Sequence, residues 1–218
     1  MKNQQTIERY LSDQDPILAS LIQKYGECPF LKDTPVPDLF DQLASSIIGQ
    51  QLSTKAAGSI RATLLKQATS ATFSTAFFLN TTPEDLRSYG LSMAKAKTLH
   101  ELSTKVHSTP DFLTQMQALN TDEISRILCA IKGIGPWTAK MFQMFALRRL
   151  DVFAPEDAGI IRGIRLTYSD ENTLDPFILD MITSRWAPYK TIASWYMWQV
   201  ANDQPRKLSP KHWNNHQR

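Results

Sequence analysis

An all-α fold follows from three features of the sequence. Only eight of the 218 residues are glycine. No stretch of useful length alternates apolar and polar residues, so the strand signal is missing. Apolar residues recur at helical spacing instead, and many of these runs begin at Ser, Thr, Asp or Asn followed by Pro or an acid, as helix N-termini do. About a dozen helices are expected, with no repeat of fixed period.

Residues 4–12 read as a short helix, and Pro16 suits the first turn of a second through Lys24. GECPFLKDTPVP (26–37) carries three prolines and reads as a connector. Asp38 opens the next helix, with Leu39, Leu43, Ile47 and Ile48 on one face. Gly49-Gln50-Gln51-Leu52 interrupts that pattern, and Ser53 is the cap of the helix that follows. Thr82-Pro83-Glu84-Asp85 combines a cap, a proline at the first position and acids in the first turn. That helix ends at Tyr89-Gly90, and Ser92 caps a longer one. A short helix is expected from Pro110 and another from Asn120-Thr121-Asp122-Glu123. The remaining segments, 124–131, 136–150, 157–167, 175–186 and 189–202, all read as helix.

Composition narrows the function classes. With 42 % hydrophobic and 21 % charged residues the chain has material for a sizeable core. No apolar run approaches the roughly 18 residues of a membrane span, and residues 1–20 lack the apolar centre of a secretory signal. No membrane association is expected, and the location expected is cytoplasmic in a bacterium (nucleoid-associated) or nuclear in a eukaryote. The two cysteines, Cys28 and Cys129, exclude a disulfide framework and a four-cysteine metal site. The four histidines show no HExxH spacing, and His212 and His216 fall in a polar tail that reads as frayed. A net charge of +3 and a pI near 8.8 are compatible with a nucleic-acid partner without requiring one.

The most informative stretch is 128–157. In Ile131-Lys132-Gly133-Ile134-Gly135-Pro136-Trp137-Thr138, two glycines permit a tight turn and close approach by another chain. Pro136 starts the following helix at no hydrogen-bonding cost. Amides around Gly133, Gly135, Trp137 and Thr138 would then form an anion site at a helix N-terminus. A plain helical corner would also use small residues here. Some twenty residues on comes Asp151-Val152-Phe153-Ala154-Pro155-Glu156-Asp157-Ala158-Gly159, where Asp157 can cap the next helix and carry chemistry.

Helix, hairpin and second helix together resemble the helix-hairpin-helix DNA-binding motif. With the Val-Phe-x-Pro-acid-Asp loop, the pattern resembles the helix-hairpin-helix/Gly-Pro-Asp superfamily of DNA glycosylases, in its DNA-3-methyladenine glycosylase II branch. The resemblance covers roughly residues 38–202. Ile47–Ala57, with Gly49-Gln50-Gln51-Leu52-Ser53, is similar to the family's interhelical wedge. Tyr89-Gly90-Leu91-Ser92-Met93-Ala94-Lys95-Ala96-Lys97 and Arg185-Trp186-Ala187-Pro188-Tyr189-Lys190 also resemble family stretches. The extra β-rich domain of the best-known bacterial member has no counterpart, so the chain resembles the compact, all-helical members.

The resemblance implies two helical sub-domains with the active-site cleft between them: about 1–37 plus 150–218, and about 38–149 with the helix-hairpin-helix at 121–149. It implies Asp157 as the catalytic carboxylate, with Glu156 in support. Gln51 and its neighbour Leu52 form the wedge that fills the gap left by a flipped nucleotide. Gly133, Gly135, Trp137 and Thr138 hold a DNA phosphate. Carbonyls of Cys129, Ile131 and Ile134 hold a monovalent cation, Na+ or K+, and no other cofactor is needed. Trp137, Met141 and Trp198 line the base pocket, with Met141 where the best-known relative has tyrosine. Trp137 also stands where members with lyase activity carry a Schiff-base lysine, so monofunctional hydrolysis is expected. Lys95 and Lys97 could touch the DNA backbone but read as solvated, and Trp186 and Trp195 read as core. The expected substrate is double-stranded DNA with alkylated purines (3-methyladenine and 7-methylguanine type), acted on by a monomer. Two alternatives stay open: a non-catalytic helix-hairpin-helix DNA-binding protein, and a glycosylase for oxidised or deaminated bases.

Overall fold

The computed structural model describes residues 4–32, 37–169 and 174–203. The polar tail with His212 and His216, and part of the 26–37 connector, lie outside them. Among the described residues there are twelve α-helices, two short 3₁₀ turns and no strand. No helix among them is long and apolar enough to cross a membrane. The chain divides into two compact units, Lys32–Glu156 and Met1–Leu31 with Asp157–Arg218.

The Lys32–Glu156 unit holds α3 (Leu39–Gly49), α4 (Thr54–Ala68), α5 (Thr75–Asn80), α6 (Pro83–Ser88), α7 (Met93–Ser108), α8 (Thr121–Cys129) and α9 (Pro136–Phe145). Their N-termini follow from side chains. Asp38, Ser53, Ser74, Thr82 and Ser92 each accept an amide of the first turn, and Asn120 with Glu123 forms a reciprocal capping box. The helices bury one continuous core through Leu43, Ile47, Leu64, Phe78, Leu99, Leu102, Leu128 and Phe142. α3 packs on α4, α7 and α9. Its buried Asp41 is satisfied by Arg61, 2.9 Å from both carboxylate oxygens, and by the Phe73 amide at 2.9 Å.

One helix appears where none was expected, and two local expectations change. α5 has only six residues, too few for a periodic signal, and it is packed onto α7 by Phe78. Pro110 leads into a turn rather than an α-helix. The Phe112 amide bonds back to Thr109, and a 3₁₀ turn follows at Thr114–Ala118. α9 stops at Phe145 instead of continuing to 150. Arg148 takes a left-handed φ of 52°, and the Leu147 and Arg149 amides reach back to the Phe142 and Gln143 carbonyls at 3.1 and 3.0 Å. The Arg149 guanidinium donates to the Met116 and Leu119 carbonyls, which fixes that chain reversal.

The other unit holds α1 (Gln4–Gln14), α2 (Pro16–Tyr25), α10 (Ala158–Tyr168), α11 (Pro176–Ser184) and α12 (Lys190–Asp203). α12 is buried nearly all round, through Ile192, Ala193, Tyr196, Met197 and Val200, and packs on α10 and α2. Its contact with α10 is close: a Cβ on Gly163 would lie 2.2 Å from the Met197 carbonyl oxygen. Buried Asp15 caps α2 and accepts the Tyr168 hydroxyl at 2.8 Å and the Trp186 indole at 3.3 Å. Trp186 is fully buried, as expected of a core aromatic, while Trp195 is half-buried with its ring edge-on to Tyr196.

Candidate active site

The hairpin joins α8 to α9 through residues 130–135. Gly133 has a φ of 91°, a region that disfavours side chains. A Cβ there would also lie 2.0 Å from the Thr98 hydroxyl, which bonds the Lys132 and Ala94 carbonyls at 3.0 Å each. Gly135 differs. Its φ is −104°, and an added Cβ would meet no protein atom within 4 Å. The fold itself therefore leaves room for a side chain at 135.

Gly135 is also the N-cap of α9, with no side-chain hydrogen bond, and Pro136 follows at the first position. The other α-helices with a described cap, α2 to α8, α10 and α11, all carry a capping side chain. The N-cap of α9 thus supplies no side-chain acceptor, and the partial positive charge of a helix N-terminus favours an anion there. Thr138 is buried, its hydroxyl accepting the Gln50 amide at 2.8 Å, so its side chain is committed inside the fold. The same Gln50 Nε2 donates to the Gly133 carbonyl at 3.0 Å.

Gln51 and Leu52 form the exposed end of the turn between α3 and α4, with Leu52 39 % accessible. Gln51 sits in the left-handed region, φ 57°. Lys95 is not solvated as the sequence suggested. It is half-buried, its ammonium lying 2.8 Å from the Ile48 carbonyl and 2.6 Å from the Gln50 carbonyl. The last carbonyls of α3 thus find a cation, which suits the negative end of the helix dipole. Burial draws the Lys95 pKa below its ordinary value. Lys97 is exposed.

Trp137 is half-buried and Met141 buried, 3 % accessible. Lys140, one turn beyond Pro136, is ion-paired with Glu156 through both carboxylate oxygens, at 2.8 and 3.0 Å. Glu156 is therefore bound up in an ion pair. The carbonyls of Cys129, Ile131 and Ile134 offer oxygen donors of the type alkali cations take. That of Ile131 already accepts the Ile134 amide at 3.1 Å. Among the described residues no group of three His, Cys, Asp or Glu could hold a metal ion.

Asp157 caps α10 and is 9 % accessible. One oxygen, Oδ1, accepts the Ile160 amide at 2.9 Å and the Trp198 indole N–H at 2.9 Å. Gly159 makes room for this pair: a Cβ there would lie 2.9 Å from Trp198 Cδ1 and 3.1 Å from Asp157 Oδ1. A backbone amide and a rigid ring thus hold the carboxylate in one orientation at a helix N-terminus, a placement from which a carboxylate can stabilise a developing cation. The sequence pointed to Trp198 only as an aromatic wall. Its hydrogen bond to Asp157 spans forty-one positions. The available signal was Gly159 and Gly163, four apart on one face of α10, where another helix can approach closely.

A cavity of about 820 Å³ lies elsewhere in the Lys32–Glu156 unit, lined by Lys97, His100, Lys105, Phe112, Ile127 and Ala130 among others. It meets the candidate residues only at Ile131. Its volume does not make it the better candidate, since Asp157 carries a carboxylate held by two donors.

The chain is similar over most of its length to known proteins. The family described as HhH-GPD superfamily base excision DNA repair protein matches residues 44–186. A DNA-3-methyladenine glycosidase structure from Bacillus halodurans is 33 % identical, covers 88 % of both chains and superposes with a TM-score of 0.73. A DNA-3-methyladenine glycosylase of Saccharomyces cerevisiae is 29 % identical over 88 % of this chain and 78 % of its own length. The structure of a Schizosaccharomyces pombe 3-methyladenine DNA glycosylase in complex with abasic DNA, 24 % identical, shares the fold at a TM-score of 0.81 over 90 % of this chain and 97 % of its own.

Proposed function

Since the chain belongs to the HhH-GPD superfamily of base excision DNA repair proteins, we propose that it is a monofunctional DNA glycosylase releasing alkylated purines of the 3-methyladenine and 7-methylguanine type from double-stranded DNA. The observation that carries the reading is the Asp157 carboxylate, fixed by the Ile160 amide and the Trp198 indole.

The target bond lies inside the duplex, so the nucleotide must leave the stack, at a cost of a few kcal/mol. The uncapped start of α9 grips a phosphate beside the lesion, through amides of the 133–138 turn with Gly135 giving clearance. Gln51, with Leu52 beside it, fills the vacated gap. As the C1′–N bond breaks, its electron pair leaves with the base and positive charge builds on the sugar. Asp157 stabilises that charge and takes the proton of the water that attacks C1′. An alkylated purine is itself cationic, and an indole face such as that of Trp137 or Trp198 favours it by roughly 0.5–2 kcal/mol. Met141 is the third pocket residue.

Two features support hydrolysis without a lyase step. Trp137 occupies the position of the Schiff-base lysine, and the neighbouring amine, Lys140, is held by Glu156. Carbonyls of Cys129, Ile131 and Ile134 would hold Na+ or K+, whose charge would add to the attraction for the phosphate. The protein works as a monomer.

The test is release of free base from methylated duplex DNA, with Asp157→Asn as control. Wild-type release that drops at least 100-fold in the variant, as expected when a charge-stabilising group is removed, supports the assignment. Binding of abasic DNA with no base release by the wild type would mark a non-catalytic DNA-binding protein. A covalent complex trapped by borohydride would overturn the monofunctional reading.

A further inference from the structure

The wedge turn and the hairpin lie more than eighty positions apart in the sequence, yet one set of side chains clamps them together. α7 supplies two of them, three residues apart on one side of the helix. Lys95 donates to the Ile48 and Gln50 carbonyls, at 2.8 and 2.6 Å, and so holds the turn that presents Gln51. Thr98 bonds the Lys132 carbonyl at 3.0 Å and so holds the hairpin just before Gly133. Gln50 closes the triangle. Its side-chain amide donates across to the Gly133 carbonyl at 3.0 Å and the Thr138 hydroxyl at 2.8 Å.

Neither turn has another evident reason for this. Gln51 is exposed and holds a left-handed φ of 57°, unfavourable for a residue with a Cβ and sustained only where its surroundings impose it. Its neighbour Gln50 spends its side-chain amide on the hairpin, at Gly133, and on the first turn of α9, at Thr138. The carbonyl of Gln50 is in turn fixed by Lys95, so the residue before the wedge is held at both ends. A turn needed only to join α3 to α4 would not require a half-buried lysine beneath it.

From this arrangement we infer that Gln50 and Lys95 are positioning residues for base eversion, locking the Gln51 wedge to the phosphate-gripping hairpin so that gripping the backbone and filling the gap occur as one rigid-body event. The inference rests on the reading of Gln51 as wedge and of the 133–138 turn as phosphate grip. Its consequence is specific. Loosening the clamp leaves both functional surfaces present but unregistered. The loss falls on getting the nucleotide out of the duplex, not on cleaving the bond once it is out.

The experiment compares single-turnover release of a lesion the wild type processes, 7-methylguanine, from two contexts. In one it is paired in duplex DNA, and in the other it stands in an unpaired bulge, where unstacking costs least. The variants are Gln50→Ala, Lys95→Met, Lys95→Arg, Gln51→Ala and the double Gln50→Ala/Gln51→Ala, each first checked for an unaltered melting temperature. Gln50→Ala and Lys95→Met should slow release from the paired site about 10-fold while changing the bulged site less than about 2-fold, a difference assignable to unstacking. Lys95→Arg, which keeps a donor, should recover part of the loss. Because Gln50 acts through Gln51, the double variant should be no slower than Gln51→Ala alone. Equal slowing in both contexts, or additive losses in the double variant, would overturn the coupling. A selective defect in Gln51→Ala with none in Gln50→Ala and Lys95→Met would overturn the coupling and leave the wedge standing. No selective defect in Gln51→Ala would overturn the wedge itself and the inference with it. If Gln50→Ala fails to fold, Lys95→Met against Lys95→Arg decides alone.

Discussion

Trp198 and Asp157 are joined by a 2.9 Å hydrogen bond from the indole N–H to the carboxylate oxygen that also accepts the Ile160 amide. The ring therefore aims the carboxylate, a role apart from the base-facing one proposed for it. Trp198→Phe separates the two roles, since it keeps a ring and deletes the donor. A hydrogen bond to a charged group is worth about 1.5–3 kcal/mol. Loss of part of that at the reacting centre should slow single-turnover base release roughly 10-fold or more. Affinity for abasic DNA should be little changed. An unimpaired rate in Trp198→Phe would confine Trp198 to the pocket wall.

Capping and chemistry by Asp157 are also separable. Asn caps helices as well as Asp does, while Ala loses about 1 kcal/mol. Asp157→Asn should therefore abolish base release with the urea midpoint nearly unchanged, and Asp157→Ala should lower both. Equal destabilisation by the two would mean that the carboxylate charge, not the cap, holds α10.

Gly133 and Gly135 should respond oppositely to alanine. At Gly133, a φ of 91° and a contact of 2.0 Å to the Thr98 hydroxyl oppose any side chain. Gly133→Ala should cost about 1–3 kcal/mol of stability. At Gly135 neither obstacle exists, so Gly135→Ala should melt like the wild type yet bind DNA more weakly. Thermal unfolding beside a salt-dependent binding titration checks both. Undiminished affinity in Gly135→Ala would remove the phosphate role from this turn.

The two cysteines should label very differently. Cys28 is fully buried, and desolvation raises its thiol from 9.0 to about 12. Cys129 is exposed. At pH 8 the Cys28 thiolate is about one part in 10⁴, so one thiol should react in the native protein and two in urea. The same shift affects stability. The folded pKa lies above the unfolded one, so the contribution is complete below about pH 9 and is lost as pH rises towards 12. Cys28→Ala should show a weaker alkaline loss of stability. Two fast-reacting native thiols would contradict the burial.

Helix α10 and helix α12 offer a last test. Gly163→Ala would place a Cβ 2.2 Å from the Met197 carbonyl oxygen, backbone that cannot turn aside. Overpacking of this kind costs about 1–3 kcal/mol or more, and chemical denaturation should show it. A neutral effect would mean that α12 can shift away from α10.

The division between what the chain states locally and what packing adds is visible at single residues. Asp38, Ser53, Thr82, Ser92 and Asn120 could be read as caps because a cap bonds within three residues of itself. The two hairpin glycines and Asp157 were legible for the same reason: a turn and a helix start are written in adjacent letters. α5 and the early end of α9 were not, because one is held by Phe78 in the core and the other by Arg149 reaching carbonyls some thirty positions back.

The candidate site divides in the same way. Sequence alone settled the all-helical class, the hairpin and the carboxylate at the start of α10, since each depends on spacing along one helix or one turn. Tertiary structure decided that Gly135, not Gly133, has open space where an alanine Cβ would go, that Glu156 is taken by Lys140, that Lys95 lies beneath a turn, and that Trp198 donates to Asp157. Each of these depends on which face of one helix meets which face of another. Helical periodicity tells how a residue faces relative to its own axis. Only packing tells what it faces.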